Sequence, residues 1–308
     1  MLIRISLHCL AQAWHRVGPR GLLFALATAI IPAVLHANPI DPPLISARAA
    51  VIMDAVTGEI LFAKALHQRL PPASTTKVLT TLIALERLDL NAKIRVSPSA
   101  ADTVPSRIGL QAGESVSVQD LLYGMMLKSG NDASEAIAEA IGGSIAGFAR
   151  LMNDRAWQLE ARNSHFNNPH GLPDDSHHST AYDLALIFRH AMRNPLFAEI
   201  VQTRNALLRI ESTGSPGDWR TVPVRNSNQL LGSYEGARGG KTGYTIKARR
   251  CFVGEASRGQ NHLIVAILGS TNPWPDVEQL FEYGFALFNL AIPAKIVTSP
   301  TAQILSAH

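Results

Sequence analysis

One short spacing in this 308-residue chain could make a serine nucleophilic without a histidine: Ser74-Thr75-Thr76-Lys77. A helical step of three residues puts the Ser74 hydroxyl and the Lys77 amine on one face, close enough to share a proton. An amine that takes this proton converts a weak hydroxyl into an attacking group. Two further polar motifs follow in order, Ser129-Gly130-Asn131 and Lys241-Thr242-Gly243. Each alone has an ordinary explanation: a serine capping a helix, a turn, a strand end. Together they supply a nucleophile with its base, a second hydroxyl beside an amide, and a second cation beside a glycine. That combination points to acyl transfer.

The base sets a requirement. Only a neutral amine accepts a proton, and a free lysine has a pKa near 10.4. Acting at neutral pH therefore asks for a downward shift of about 3 units, about 4 kcal/mol. Burial, the positive end of a helix and the second cation at Lys241 all push in that direction.

The elements that position these residues follow from hydrophobic period. Ala49 to Asp54 and Glu59 to Ala63 read as two strands joined across the turn signal Thr57-Gly58. Pro71-Pro72 breaks the chain, and residues 75-88 then carry Val78, Leu79, Leu82, Ile83, Leu85 and Leu88 at helical spacing. From about 117 to 200 the pattern is helical, interrupted by a polar loop from Asn167 to Pro173. The stretches 238-244, 251-256 and 262-268 read as strands, and Val277 to Leu290 as a closing amphipathic helix. Strands, then helices, then strands and a helix imply an α/β domain in which a sheet flanked by helices carries an inserted helical subdomain.

Composition bounds the rest. With 46% hydrophobic and 17% charged residues the chain can bury a substantial core. Residues 1-37 hold Arg4, Arg16 and Arg20 but no acid, so without them the formal charge falls from +4 to +1 and a nucleic-acid partner has no electrostatic support. That segment reads as a secretory signal peptide: a basic region to Arg20, an apolar run to Leu35, and an exit at Ala37. A Pro-rich linker (38-46), a catalytic domain (47-291) and a short tail (292-308) are expected to follow. Cys251 would be the one cysteine left after processing, which rules out an internal disulfide and suits a small buried residue. His170, His177 and His178 with Asp174 and Asp175 invite a metal reading. Their loop setting, without a helical His-x-x-x-His pair, favours a buttress under the site instead, so no metal or cofactor is expected.

With these residues set out, the chain resembles the penicillin-recognising serine peptidases, which share the three motifs. The flanking residues narrow the resemblance: Pro72 to Lys77, Lys128 to Ala133, Asn168 to Leu172, His178 to Ala185 and Lys241 to Thr245 look like the low-molecular-mass penicillin-binding proteins, the serine D-alanyl-D-alanine carboxypeptidases. It covers roughly 45-290. The resemblance implies an antiparallel sheet of the β-lactamase/transpeptidase-like kind. It implies catalytic roles for Ser74, Lys77 and Ser129: attack, proton acceptance, and return of the proton to the departing amine. It implies substrate binding by Asn131, Lys241, Thr242, Gly243 and Tyr244. Lys241 and Thr242 would hold the terminal carboxylate, Gly243 would let the substrate backbone approach, and the Ser74 and Tyr244 amides would form the oxyanion hole. The implied partners are peptidoglycan stem peptides and, as covalent inhibitors, β-lactams, in the periplasm or another extracytoplasmic space.

Two departures matter. The family commonly has Ala-Gly where this chain has Ala248-Arg249, which suggests a reshaped turn or an added cation near the entrance. Many carboxypeptidases of the group add an all-β domain and an amphipathic membrane helix. Here about 18 residues follow Leu290 without a basic amphipathic pattern, so no permanent membrane anchor is expected after processing. The compact form is also similar to endopeptidases that cut peptidoglycan cross-links. A catalytically silent wall-binding scaffold is the alternative from another class, and the intact motifs argue against it. A class A β-lactamase is disfavoured because residues 161-175 contain no Glu to activate a deacylating water.

Overall fold

The computed structural model describes residues 40–214 and 217–289, together with the backbone of Val297–Thr298. The expected signal peptide and all but two residues of the expected tail lie outside the described residues.

The first hairpin forms as the two strand-like runs and the turn signal between them imply. Strands β1 (Ala49–Asp54) and β2 (Ile60–Lys64) pair antiparallel, with Val51 opposite Ala63. A 3-10 turn over Ala73–Thr76 runs into helix α1 (Lys77–Arg87). Then come β3 (Lys93–Arg95), α2 (Pro98–Asp102) and β4 (Ser115–Ser117). The helical stretch consists of α3 (Val118–Leu127), α4 (Asn131–Gly142), α5 (Ile145–Gln158), α6 (Ala181–Ala191) and α7 (Pro195–Gln202). The hairpin β5 (Asn205–Glu211) and β6 (Trp219–Arg225) precedes a single turn of helix, α8 (Leu230–Ser233). Strands β7 (Ala237–Thr245), β8 (Arg249–Arg258) and β9 (Asn261–Ser270) and helix α9 (Pro273–Asn289) follow, and the pair Val297–Thr298 is β10.

The main sheet has the order β10-β2-β1-β9-β8-β7, antiparallel apart from β10 beside β2. Its central strands are buried on both faces, and residue parity divides them. Val51, Met53, Ile264, Ala266 and Leu268 face the core shared with the helices. Ile52, Leu263, Val265 and Ile267 face a second core under α9, closed by Val277, Leu280 and Phe281. This is the two-sided burial a continuous apolar run such as 262-268 requires.

A four-stranded sheet, order β3-β4-β5-β6, was not anticipated from the sequence. Two of its strands are three residues long, too short for a period to register. In β5 only Leu208 and Ile210 are buried, against the helical region, so the apolar signal is thin. Trp219 holds its outer face, with Lys93 and Arg209 stacked on the ring at 4.6 and 5.1 Å.

Candidate active site

Three segments converge between the main sheet and the helices. The first is the 3-10 turn. Pro72 precedes it, Ala73 adopts φ +49°, and the Thr75 hydroxyl donates to Pro72 O at 2.7 Å. The turn hands directly into α1, so Ser74 and Lys77 stack at a spacing of three. Lys77 Nζ lies 3.0 Å from Ser74 Oγ. The amine also donates to Asn131 Oδ1 at 2.7 Å and to His170 O at 2.9 Å.

Lys77 is fully buried, and its pKa is held well below the ordinary lysine value, first by desolvation and then by the Lys241 charge, with Asp132 opposing. Lys241 is buried too, its pKa lowered to about 7 by desolvation, and its Nζ donates to Thr242 O at 2.9 Å. Two buried amines under one site disfavour double protonation.

The second segment is the start of α4. Ser129 sits at φ +65°, a left-handed conformation that turns the chain sharply out of α3. Asn131 is fixed by its Nδ2 on Val104 O (2.7 Å) and its amide on Ser106 O (2.8 Å). Sequence reasoning gave no role to Asp132. Its carboxylate, fully buried, accepts from the amides of Ile108, Gly109 and Leu110 at 2.9 to 3.1 Å and so fixes the loop that holds Asn131. Ser129 lines the cleft, but among the described residues no hydrogen bond joins its hydroxyl to Lys77.

The third segment is β7, the outermost strand of the sheet. Parity splits its motif: Lys241 and Gly243 face the helical side, Thr242 and Tyr244 the other. Gly243 abuts the nucleophile turn, since a Cβ there would stand 2.9 Å from Ser74 N and 3.1 Å from Pro72 O. The close approach this glycine allows is therefore to the turn bearing Ser74, where the sequence suggested an approach by substrate. Lys241 lies behind the cleft wall, whereas Thr242, Gly243 and Tyr244 line it.

The polar loop forms the floor. Thr80 donates to Pro169 O at 2.6 Å, while Lys77 takes the next carbonyl. A Cβ on Gly171, at φ +83°, would lie 1.8 Å from Ala73 O. His177 is neutral, its pKa lowered to about 3 by burial and by His170. Its Nδ1 accepts from the Asn167 amide at 3.1 Å, which leaves Nε2 to donate to Thr76 Oγ1 at 3.0 Å. His170 pairs with Glu135 at 3.2 Å, and His178 bonds Ser176 O at 2.7 Å. The histidines are thus engaged in bracing the loop.

The cleft above these segments has a volume of about 530 Å³ and includes Ser74, Ser129, Asn131, Arg250 and Trp274 in its lining. Among the described residues that line it none is acidic. The added cation comes from Arg250, whose guanidinium stacks on Tyr244 at 5.5 Å. Arg249, which the sequence singled out, is exposed at the turn with φ +57° and is absent from the lining. That φ accounts for the glycine usual in the family. Cys251 is buried, as a small core residue would be, with its thiol pushed up to about 12.

A serine in 3.0 Å contact with a buried lysine, between an antiparallel sheet and a helical subdomain, fits a class: serine hydrolases that work through an acyl-ester. Comparison with known proteins narrows it. Residues 36–272 match the peptidase family described as D-alanyl-D-alanine carboxypeptidase. The D-alanyl-D-alanine carboxypeptidase DacB2 of Mycobacterium tuberculosis is 38% identical over 245 residues, covering 77% of this chain and 81% of that protein. DacF of Bacillus subtilis is 35% identical over 250 residues, covering 79% of this chain and 63% of its own length. A solved Streptomyces DD-transpeptidase superposes with a TM-score of 0.77 at 34% identity, over 80% of this chain and all of that one. The chain belongs to the D-alanyl-D-alanine carboxypeptidase family and has its β-lactamase/transpeptidase-like fold.

Proposed function

We propose that this protein removes the terminal D-alanine from peptidoglycan stem pentapeptides, outside the cytoplasm, through an acyl-ester on Ser74. The observation that carries the reading is the 3.0 Å contact between Ser74 Oγ and a fully buried Lys77 whose pKa is driven down. Ser74 Oγ attacks the carbonyl carbon between the two D-alanines and passes its proton to Lys77 Nζ. The carbonyl oxygen becomes an oxyanion held by the amides of Ser74 and Tyr244, and Gly243, without a Cβ, lets β7 approach the turn that bears Ser74. The C–N bond then breaks. The departing amine takes a proton through Ser129, and Asn131 keeps Lys77 in position by the 2.7 Å bond. Thr242 on the wall and the Lys241 charge behind it hold the terminal carboxylate. Water hydrolyses the ester and regenerates Ser74. Acylation requires neutral Lys77, so the rate falls as pH drops through its folded pKa.

β-Lactams mimic the scissile bond and take the same route to an ester on Ser74. The acid-free cleft wall offers no carboxylate to activate a deacylating water, which supports slow release. Asp174 and Asp175 are fully exposed and bonded elsewhere, to Ser176 and Lys247. Among the described residues no helix is long and apolar enough to cross a membrane.

The test is direct. Full-length protein incubated with pentapeptide is expected to release one D-alanine per peptide, and benzylpenicillin to leave a mass-detectable adduct on Ser74. Rapid penicillin hydrolysis without an adduct, or no release of D-alanine, would overturn the reading.

A further inference from the structure

Glu135 lies outside the three motifs, yet it closes a ring of hydrogen bonds around the Lys77 base. Besides Ser74, Lys77 Nζ has two acceptors, Asn131 Oδ1 at 2.7 Å and His170 O at 2.9 Å. Both trace back to the residues that directly follow α2. On one side Asn131 Nδ2 donates to Val104 O at 2.7 Å. On the other, His170 Nε2 lies 3.2 Å from Glu135 Oε1, and the Thr103 hydroxyl donates to that same oxygen at 2.7 Å. Thr103 and Val104 are neighbours in the chain, while Asn131 and Glu135 stand about one turn apart on α4. The circuit therefore runs Thr103, Glu135, His170, Lys77, Asn131, Val104 and closes on itself.

The links that involve Glu135 are largely shielded from water. His170 is 5% exposed, Thr103 8%, and the Glu135 side chain 13%. The imidazole tautomer is fixed: Nδ1 accepts from the Leu172 amide at 3.3 Å, so Nε2 carries the proton and donates to Glu135. Burial holds the His170 pKa below its ordinary value, opposed by the bond to Glu135 and reinforced by the Lys77 charge, which keeps the ring neutral at pH 7. Held at both nitrogens, the ring anchors the residue whose own carbonyl receives Lys77 Nζ.

Proton transfer from Ser74 needs a short, aligned contact, and a displacement of about 1 Å can cost on the order of 100-fold in rate. Without Glu135 Oε1 the His170 ring would lose its Nε2 partner and the Thr103 hydroxyl its acceptor. We propose that Glu135 is a positioning residue for the acylation step: through His170 it fixes the carbonyl that, together with Asn131, aims the Lys77 amine at Ser74 Oγ. This role rests on the function proposed above, in which Lys77 takes the Ser74 proton. Because both hydrogen bonds converge on one oxygen, Glu135 acts by where that oxygen stands and not by its charge.

Three substitutions separate position from charge. Glu135→Ala removes both, Glu135→Gln keeps an acceptor oxygen at the same reach without the charge, and Glu135→Asp keeps the charge but withdraws the oxygen by one methylene. Full-length proteins are assayed for D-alanine release from pentapeptide and for the rate of Ser74 acylation by benzylpenicillin. Glu135→Ala and Glu135→Asp should each lower kcat and the acylation rate roughly tenfold with KM within about twofold, and Glu135→Gln should restore most of that loss. Asp active with Gln impaired, equal rates in Asp and Gln, or a change carried by KM overturns the positioning role alone, provided that the wild type works. A wild type that neither releases D-alanine nor forms the adduct overturns the carboxypeptidase reading and the positioning role with it.

Discussion

The floor and the rim of the cleft are built on opposite principles. On the floor, Lys77, Asn131, Gly171 and His177 are buried, and carbonyls or amides fix the polar side chains from several directions. On the rim, Tyr244 is 61% exposed and is held mainly by its stack with Arg250, while Arg249 stands in solvent in a left-handed conformation. A buried floor can shift a lysine pKa because water cannot screen it. An exposed rim cannot, but it tolerates change. The division suggests that the floor fixes the reaction and the rim adjusts what enters.

Substitutions can break that contrast. The largest effect is expected from Ser74→Ala, which should lower kcat by about 10⁴-fold and abolish the penicillin adduct while the fold persists. Residual wall-trimming at the wild-type rate would leave the silent-scaffold alternative standing. Next is Gly171→Ala. A Cβ 1.8 Å from Ala73 O, at φ +83°, should cost about 4 kcal/mol in urea unfolding. Gly232→Ala, with nothing within 4 Å of its Cβ, is the control and should stay within about 0.5 kcal/mol. An equal response at the two glycines would remove the case for a tightly packed floor.

The His177 prediction concerns pH. Its pKa is about 3 in the folded chain against 6.5 for an ordinary histidine, so between those limits the unfolded chain binds the extra proton. Stability therefore falls as pH drops through that window, by about 1.4 kcal/mol per unit from this group. His177→Gln should flatten the slope measured between pH 7 and 4; an unchanged slope would mean that the buttress is not what acid attacks. The smallest effect lies on the rim. Arg249→Gly relieves the left-handed φ and should stabilise the protein by about 1 kcal/mol, with D-alanine release unaltered. A marked loss of activity there would show that the rim takes part in catalysis.

Several elements were legible because their signals are local. The apolar run 262-268 and the strand-like run around Val51 appear as central strands, and the spacing from Val78 to Leu85 as α1. α9 begins four residues ahead of the expected Val277, at Pro273, because prolines suit a first helical turn. The β5–β6 hairpin escaped notice because its buried residues are few. In the site, the three motifs named the residues lining the cleft but not the Asp132 carboxylate beneath them or the Arg250 guanidinium beside them. Arg250 was passed over in favour of Arg249 because sequence adjacency does not say which side chain turns toward a cleft. Strand parity does: Arg250 pairs with Tyr244, so the two share a face.

The sequence by itself determined the Ser74–Lys77 pair, since a helical step of three carries its own geometry. It also determined the order of β1, β2, β7, β8 and β9 around the long helices, and through its motifs the family. Only the tertiary structure decided that Lys77 is stripped of water and bonded to Asn131 and His170 O, and that Gly243 lies against the nucleophile turn. Burial, close approach and cavity shape arise from segments far apart in the chain, and no local pattern encodes them.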